Sequence, residues 1–345
     1  MDTLTHALTG VGIYGVWTLS ANPALLHTPA ASGVLVAAVI GSEIPDIDYL
    51  IKVIKGPVAY LKNHRAASHG IPFWFLWPLL IAAGVSIWVP RHFGLFYLIA
   101  LIAVLIHIGS DILNAYGTQA LWPVTRRRFA LNTIFVTDFV LIILGFSGIA
   151  LTISGWPMAK TVTWFGGAAI LYLLLRAAHT IYLHYVVRQQ YSGEWRVTLV
   201  PRPLPWWWSY VAESETHVLA GQVTVAGLAK PEVRWPKAGF HSELAQFVFR
   251  QTELGQTFQW FARHLLWSVT SDGDTLRVSM ADAVYRYNRM FPFSAYVTVT
   301  RNSLGDFELV QESLRGQAMD LKALFQDAQD IDDEARAEFV IPPPN

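Results

Sequence analysis

The first half of the chain contains six long apolar runs, and these constrain the fold more than any other feature. A helix that crosses a bilayer core needs about 20 apolar residues, with tolerance down to roughly 17. Backbone polar groups in lipid must be satisfied within the chain, so such runs fold as helices. We therefore expect a mainly α, polytopic membrane bundle of about six spans. The expected spans are Leu4–Ser20, Ala31–Leu50, Ile71–Pro90, Phe93–Leu113, Leu131–Ser154 and Val162–Val187.

The second half of the chain has a different composition. Residues 1–190 contain 11 Lys/Arg and 6 Asp/Glu, whereas residues 191–345 contain 14 and 19, so a net charge of +5 is followed by one of −5. This change predicts a membrane-embedded domain at 1–190 and a smaller soluble domain at 191–345, of α+β or mainly β class. Alternating apolar and polar residues predict strands in the soluble domain. These strands are QVTVAGL, DTLRVSM, SAYVTVT and DFELVQES, and helices are expected near Ser242–Trp267 and Arg315–Asp330.

The basic residues of the membrane domain predict its orientation. The loop at 51–70 contains four Lys or Arg residues and the loop at 114–130 contains three, whereas the loops on the opposite side contain only Arg91 and Lys160. Short loops that remain in the cytoplasm carry an excess of Lys and Arg. We therefore expect a multi-pass protein of the cell membrane whose N- and C-termini are both cytoplasmic.

Four clusters of metal-ligand residue types lie at ends of the apolar runs, and all four clusters fall on the predicted cytoplasmic side. Imidazole and carboxylate groups are expensive in hydrocarbon, so their repeated use at one depth indicates a built site. His107 and Asp111 are four residues apart on a predicted helix and therefore project from one face. The chain has no cysteine, so a metal must be held by nitrogen and oxygen. The candidate ligands are His6, Asp46, Asp48, His64, His69, His107 and Asp111.

Several residues in the same regions have simpler explanations. A lone histidine near a helix end is usually interfacial or hydrogen-bonded, which is our interpretation of His27, His92, His179 and His184. Asp138 is either a ligand or a helix N-terminal charge. Arg126–Arg128 are topology determinants or anionic-lipid contacts, with phosphate recognition as the alternative. Trp206–Trp208 belong to an interfacial aromatic belt or to a local core.

Four motifs in order carry a family resemblance: MDTLTHALTG, the PDID of Pro45–Asp48, HRAASHG, and HIGSDILNAYGTQALWP from His107 to Pro123. Over roughly residues 1–140 the chain resembles the YdjM family of membrane-bound metal-dependent hydrolases. That family is related to zinc-dependent phospholipase C and zinc-dependent single-strand nucleases, whose ligand order is similar to the order found here. The resemblance implies a divalent metal, zinc, with Asn114 and Asp138 as further candidates. No histidine occurs between His107 and His179, so we expect one or two ions.

These observations predict a metal-dependent hydrolase that acts on a phosphoester, with phospholipid among the candidate substrates. Asp48 or Asp46 is expected to orient or deprotonate the attacking water, with Asp48 preferred, and Arg65 is expected to contact a substrate oxyanion. Neither half of the chain is basic enough to predict nucleic acid as a partner. The alternative is a non-catalytic membrane protein such as a divalent metal-ion carrier. A carrier usually binds its ion near the bilayer midplane, whereas these residues cluster at one boundary. The sequence does not indicate an oligomeric state.

Overall fold

A computed structural model describes residues 1–237, 239, 242–286, 290–291, 293–315, 319–320 and 329–330. The chain divides into two compact units. The first, called the helical unit below, contains Met1–Ile54, Asn63–Thr180 and Pro201–Pro205. The second, called the sheet unit, contains Lys55–Lys62, Ile181–Val200 and Trp206–Asn345.

Residues 1–190 are mostly helical. Side-chain caps mark several helix starts: Asp2 accepts a hydrogen bond from the Thr5 amide, and Thr28 accepts one from Ala30. Two tight helical turns, Ile44–Asp48 and Ala67–His69, precede α4 and α5, and the wider turn Val162–Gly166 precedes α9. The helices are α1 Thr3–Ser20, α2 Pro23–Leu26, α3 Pro29–Glu43, α4 Tyr49–Asn63, α5 Ile71–Trp88, α6 Phe93–Leu113, α7 Phe139–Ile153, α8 Met158–Thr161 and α9 Gly167–Gln190.

Among the described residues, three helical segments are long and apolar enough to cross a membrane: Ile71–Trp88, Phe93–Leu113 and Met158–Gln190. The predicted helical class is confirmed, whereas the predicted count of about six spans is not. The expected second span breaks after α3 because Pro45, which has no N–H group, lies in the tight turn that follows it. In the expected fifth span the helix α7 begins only after Asp138, which caps it. It has 15 residues, fewer than the roughly 17 that a span requires.

Small residues allow the helices of the helical unit to pack closely. A Cβ atom at Gly10 of α1 would lie 2.7 Å from the Cα of Val39 in α3. A Cβ atom at Gly41 of α3 would lie 2.9 Å from the Cβ of Ala103 in α6. Glycine at these two contacts therefore lets the backbones of α1, α3 and α6 approach one another, as is common between membrane helices.

Two antiparallel sheets dominate the sheet unit. The first has the strand order β1-β2-β3-β4-β11, the second has the order β5-β6-β8-β9, and β7 and β10 form a separate pair. Helices α10 (Glu243–Gln251) and α11 (Glu253–Phe261) lie between β4 and β5 in the chain. The strands are β1 Arg196–Pro201, β2 Trp208–Glu213, β3 His217–Thr224, β4 Gly227–Pro236, β5 Leu265–Asp272, β6 Thr275–Asp282, β7 Met290–Phe291, β8 Ser294–Arg301, β9 Phe307–Arg315, β10 Met319–Asp320 and β11 Gln329–Asp330.

Each sheet has its own apolar core. The first core includes Leu183, Val187 and Trp208, and the second includes Leu244, Phe258 and Met280. Within the predicted belt of three tryptophans, Trp208 is therefore a core residue, whereas Trp206 and Trp207 are 55% and 47% exposed.

The strand predictions for DTLRVSM, SAYVTVT and DFELVQES correspond to β6, β8 and β9. The prediction for QVTVAGL was wrong in one respect, because that segment contains the turn between β3 and β4, where Gly227 has a φ of 135°. The helix predicted at Ser242–Trp267 is two helices, because Thr252 ends α10 and caps α11 through its bond from the Gly255 amide, and β5 begins at Leu265.

The helix predicted at Arg315–Asp330 falls largely outside the described residues. The parts of it that are described are strand: Arg315 ends β9, and Met319–Asp320 and Gln329–Asp330 form β10 and β11.

A buried polar cluster connects the two sheets of the sheet unit. His264, which is fully buried just before β5, lies with Nδ1 2.7 Å from Glu213 of β2 and with Nε2 2.8 Å from the Thr198 hydroxyl of β1. Burial lowers the pKa of His264, against the opposing effect of Glu213. Burial by itself would raise the pKa of Glu213, but hydrogen bonds with His264 and Lys237 outweigh it and lower the pKa to about 2. The cluster therefore pairs a neutral imidazole with a carboxylate.

Candidate metal centre

The predicted ligands lie where helices of the helical unit begin or end. The tight turns on either side of α4 bring loop residues to the last turns of α6. His6 lies near the start of α1, Asp46 and Asp48 in the turn after α3, His64 just after α4, His69 in the turn before α5, and His107 and Asp111 near the end of α6. All except Asp46 and His64 are buried.

Four of these side chains, Asp46, His69, His107 and Asp111, form a group that could hold a metal ion, called the first ligand group. Nε2 of His69 lies 3.2 Å from Nε2 of His107, 3.3 Å from Oδ2 of Asp111 and 3.5 Å from Oδ1 of Asp46. Nε2 of His107 lies 3.6 Å from the same Asp111 oxygen and 3.8 Å from the same Asp46 oxygen. Donors about 2.0–2.1 Å from a tetrahedral zinc are separated by about 3.3 Å, so these spacings fit such an ion.

The hydrogen bonds of the two inner imidazoles favour metal binding. Nδ1 of His107 lies 2.6 Å from the backbone carbonyl oxygen of Ser42, and a carbonyl can only accept, so this nitrogen carries the proton. In the neutral ring Nε2 then has a free lone pair. Nδ1 of His69 forms a hydrogen bond with the Ser68 hydroxyl at 3.0 Å. The Nε2 atom of His69 therefore faces the other donors of the first ligand group. Metal-binding histidines are commonly oriented in this way by a partner at the other ring nitrogen.

Two donor positions in the cluster stand out: Nε2 of His6 and Oδ1 of Asp46 are buried and make no hydrogen bond within the described part of the chain. Buried polar atoms without partners are rare and call for a physical reason, such as an ion. His6 adds a fifth donor beside the first ligand group, because its Nε2 lies 3.4 Å from Oδ1 of Asp111.

Asp46, Asp48 and His64 form a second ligand group, and their donor atoms lie within 4.8 Å of one another. Asp46 belongs to both groups. Asp48 differs from it in being held by three neighbours: it accepts bonds from the Arg65 amide at 2.7 Å and the Ser68 hydroxyl at 3.2 Å, and it lies 3.0 Å from Nδ1 of His64. Burial lowers the pKa of His64 although Asp48 raises it, so the net shift favours the neutral, metal-binding ring.

Arg65 places a buried cation against the ligand carboxylate of Asp111. Its Nε lies 3.0 Å from Oδ2 of Asp111, and its terminal nitrogens donate to Oδ1 of Asn114 at 3.1 Å and to the carbonyl of Met1 at 3.2 Å. The Met1 ammonium also contacts Asp111. Arg65 has a φ of 56°, a left-handed conformation that is uncommon for a side-chain-bearing residue. These contacts hold the Asp111 carboxylate in place.

The two further candidates differ in position. Asn114 is fully buried beside the cluster, where its Oδ1 also accepts bonds from the amides of Tyr116 and Gly117. Asp138 belongs to neither ligand group. It caps α7 by accepting from the Val140 and Leu141 amides, and it accepts from the Tyr172 hydroxyl at 2.8 Å. Of the two interpretations of Asp138, the structure therefore supports the helix N-terminal one.

Sequence reasoning did not identify Ser42 and Ser68, which orient His107 and His69. Ser68 stands inside the HRAASHG motif directly before His69, so its position was a usable signal. Ser42 contributes its backbone carbonyl, and no side-chain pattern marks such a role. Among the three arginines of the 114–130 loop, Arg128 donates to the His64 carbonyl at 3.1 Å, next to the second ligand group.

Two comparisons with known proteins found similar sequences. The family model of the YdjM inner membrane protein matches residues 1–187, which contain both ligand groups. The uncharacterized protein YfhP of Bacillus subtilis (strain 168) is 27% identical over 301 residues, covering 87% of this chain and 91% of YfhP. That match is longer than the segment matched by the family model, so it includes part of the sheet unit. No solved structure matches the chain.

Proposed function

This chain belongs to the YdjM inner membrane protein family, and we propose that it is an integral membrane hydrolase that uses a divalent metal to cleave a phosphoester. The observation that carries the proposal is the pair of ligand groups that share Asp46. Two adjacent groups of nitrogen and oxygen donors suit one or two ions, and metal-assisted hydrolysis commonly uses such pairs.

Zinc is the proposed metal. The donors of the first ligand group are imidazole nitrogens and carboxylate oxygens at spacings that fit tetrahedral zinc. When bound, the ion would supply Lewis-acid polarisation of a phosphoryl oxygen and would lower the pKa of a water toward neutrality.

The residues of the second ligand group are proposed to handle the proton. Asp48 fixes the His64 ring through Nδ1, and the His64 side chain is 22% exposed, so a water at the edge of the cluster can reach this pair. Asp48 and His64 together can orient that water and accept its proton.

Arg65 was predicted to contact a substrate oxyanion. Its present contacts with Asp111, Asn114 and Met1 support a positioning role for Asp111 at least as well. The substrate contact stays a prediction.

The proposal includes a multi-pass topology with about six spans and with both termini in the cytoplasm. The distribution of Lys and Arg among the short loops supports it. The first ligand group includes two residues of the last turns of α6, a candidate span, and it shares Asp46 with the second group. In this topology both groups therefore lie at the cytoplasmic boundary. A phospholipid headgroup is a phosphoester found at that depth, which supports a lipid as one substrate class.

The test is hydrolysis by the purified protein of a generic phosphodiester and of a phospholipid, with and without added zinc or manganese, while bound metal is measured in parallel. We expect metal-dependent turnover that Asp46→Asn removes. His27→Ala, which changes an exposed histidine outside the cluster, is the matched control and should retain activity.

The carrier alternative predicts a different result. In that case the protein would bind metal stoichiometrically but would cleave no phosphoester or acyl ester. It would also carry metal into proteoliposomes, and Asp48→Asn would stop this flux. These results together would favour the carrier over the hydrolase. The buried guanidinium of Arg65 beside Asp111 argues against a cation path through the cluster, because it adds a positive charge at the ligands.

A further inference from the structure

The first half of α4 exposes an apolar face directly beside the second ligand group. Tyr49, Leu50, Val53 and Ile54 are 54%, 52%, 73% and 76% exposed. Residues at i, i+1, i+4 and i+5 share one side of a helix, so the four side chains form a continuous stripe. The segment Tyr49–Ile54, called the rim segment here, starts immediately after Asp48.

The rim segment cannot be part of a membrane span. Gly56 has a φ of 84° and a ψ of 173°, and Pro57 follows it, so the regular helix is interrupted after the rim segment. A run of this length is far shorter than the roughly 17 residues that a span requires. It also contains Lys52, whose ammonium lies 5.3 Å from the centre of the Tyr49 ring.

Its residue types match a helix that lies in the membrane interface. Such helices combine an apolar stripe with Lys or Arg on the flank, and tyrosine is enriched at headgroup depth. Lys52 flanks the stripe, and Lys55 follows the rim segment in the chain. Positive charge there is complementary to anionic headgroups, which attract basic residues near the membrane surface.

We propose that the rim segment lies in the headgroup layer of the membrane and binds anionic lipid. The helical unit contains the candidate spans Ile71–Trp88 and Phe93–Leu113, which would place it in a membrane. The second of these spans carries His107 and Asp111 of the first ligand group. The rim segment begins three residues after the shared ligand Asp46, so in this proposal it borders the cluster on the lipid side. If the proposed function holds, the phosphoester that reaches Asp46 and Asp48 is a lipid headgroup entering past this segment.

The test uses the absence of cysteine from the natural chain. Single-cysteine variants Val53→Cys and Ile54→Cys of the full-length protein are labelled with an environment-sensitive fluorophore and placed in nanodiscs of phosphatidylcholine, with and without phosphatidylglycerol. Quenching by aqueous iodide is compared with quenching by nitroxide-labelled lipids. Leu174→Cys in a candidate span is the lipid reference, and Leu304→Cys, 85% exposed in the sheet unit, is the water reference.

We expect the labels at 53 and 54 to be quenched by lipid nitroxides near the headgroup, and several-fold less by iodide than the label at 304. Phosphatidylglycerol should increase the lipid quenching, and Lys52→Gln should remove that increase. Iodide quenching equal to that at 304 would overturn membrane contact, and an absence of any phosphatidylglycerol effect would overturn anionic-lipid binding. The readout does not depend on turnover, so it separates failure of this inference from failure of the proposed hydrolase.

Discussion

The imidazole rings of His6 and His107 lie face to face, with their centroids 3.7 Å apart and their planes 19° from parallel. Two protonated rings would repel each other at this separation, so the stack requires at least one neutral ring. The neutral ring is the form that ligates a metal. The stack therefore fixes His6 in an orientation in which its Nε2 meets Asp111, a member of the first ligand group.

Removal of ligands from α6 should empty the cluster. His107→Ala combined with Asp111→Ala deletes two of the four donors of the first ligand group, so we expect bound metal in the purified protein to fall at least tenfold. Elemental analysis of protein prepared in identical buffers measures this. His27→Ala should keep the metal content of the natural protein. An unchanged content in the double variant would refute metal binding by this group.

Asp46 and Asp48 should differ in their effects. Asp46→Asn alters a donor that both ligand groups share, whereas Asp48→Asn alters a carboxylate already held by Arg65, Ser68 and His64. We expect Asp46→Asn to lower the metal stoichiometry. Asp48→Asn should leave the stoichiometry near normal and weaken affinity roughly 10- to 100-fold, as loss of an orienting partner does. Competition titration with a chelating dye distinguishes the two, and equal losses would contradict the assignment of Asp46 as the shared ligand.

Arg65→Lys should reduce stability more than metal content. Lysine retains the charge near Asp111 but cannot also supply the separate donors that reach Asn114 and the Met1 carbonyl. Losing one charge-assisted hydrogen bond costs about 2 kcal/mol, so thermal unfolding in detergent should occur at a lower temperature. Arg127→Lys, at the exposed loop, is the matched control. If Arg65→Lys abolishes phosphoester turnover while stability and metal are unchanged, the oxyanion contact is the better explanation.

Acid should loosen the sheet unit in two steps. The pKa of buried His264 lies below its ordinary 6.5, so protonation favours the unfolded chain, and stability that is complete above pH 6.5 declines below it. The pKa of Glu213 is lowered from 4.5 to about 2, so a second loss begins as the pH falls through 4.5.

Hydrogen exchange of the β1, β2 and β5 peptides in the full-length protein, corrected for intrinsic rates, measures these steps. His264→Gln should flatten the step near pH 6.5, whereas His27→Gln should not, because His27 lies in the helical unit. Exchange protection that is constant from above pH 6.5 to below it in the natural protein would contradict this prediction.

Reporter fusions test the proposed topology. A reporter inserted in the loop at 155–161 and one placed at the C-terminus should report opposite sides of the membrane, because a single span from Val162 to Val187 would separate them. A fusion in the 114–130 loop should report the same side as the C-terminus. Agreement between the first two reporters would remove the geometric basis for ligands at one boundary.

The family and several elements could be predicted from local patterns in the sequence. The ordered motifs around His6, Asp48 and His107 identified the YdjM family, which the family comparison confirms. The apolar runs of α5 and α6 matched the observed helices to within two residues, because long continuous apolar stretches leave little choice of structure. Pro78 lies inside α5 without ending it. Strands β6, β8 and β9 followed from strict alternation.

Other features depended on effects that the patterns do not show. Hydropathy averaged over the run that contains Pro45 did not reveal that the helix stops at Glu43. The division of the 242–267 helix came from a single capping threonine, Thr252. The sequence predicted Asp46 and Asp48 together as ligands. It could not show that, of these two, Asp46 is the one with an oxygen free of hydrogen bonds. That difference arises because the Arg65 amide and the Ser68 hydroxyl both donate to Asp48.

The close contacts at Gly10 and Gly41 have a consequence for how the cluster selects an ion. Backbone in direct contact with backbone cannot slide or tilt without a clash, so α1, α3 and α6 are held in fixed register. Their ends carry His6, Asp46 and His107 at separations that the scaffold sets before any cation arrives. If the proposed metal binds, an ion of the wrong radius would meet donors that cannot close around it or retreat from it. Discrimination between metals would then depend on glycines that lie about one helical turn from the ligands.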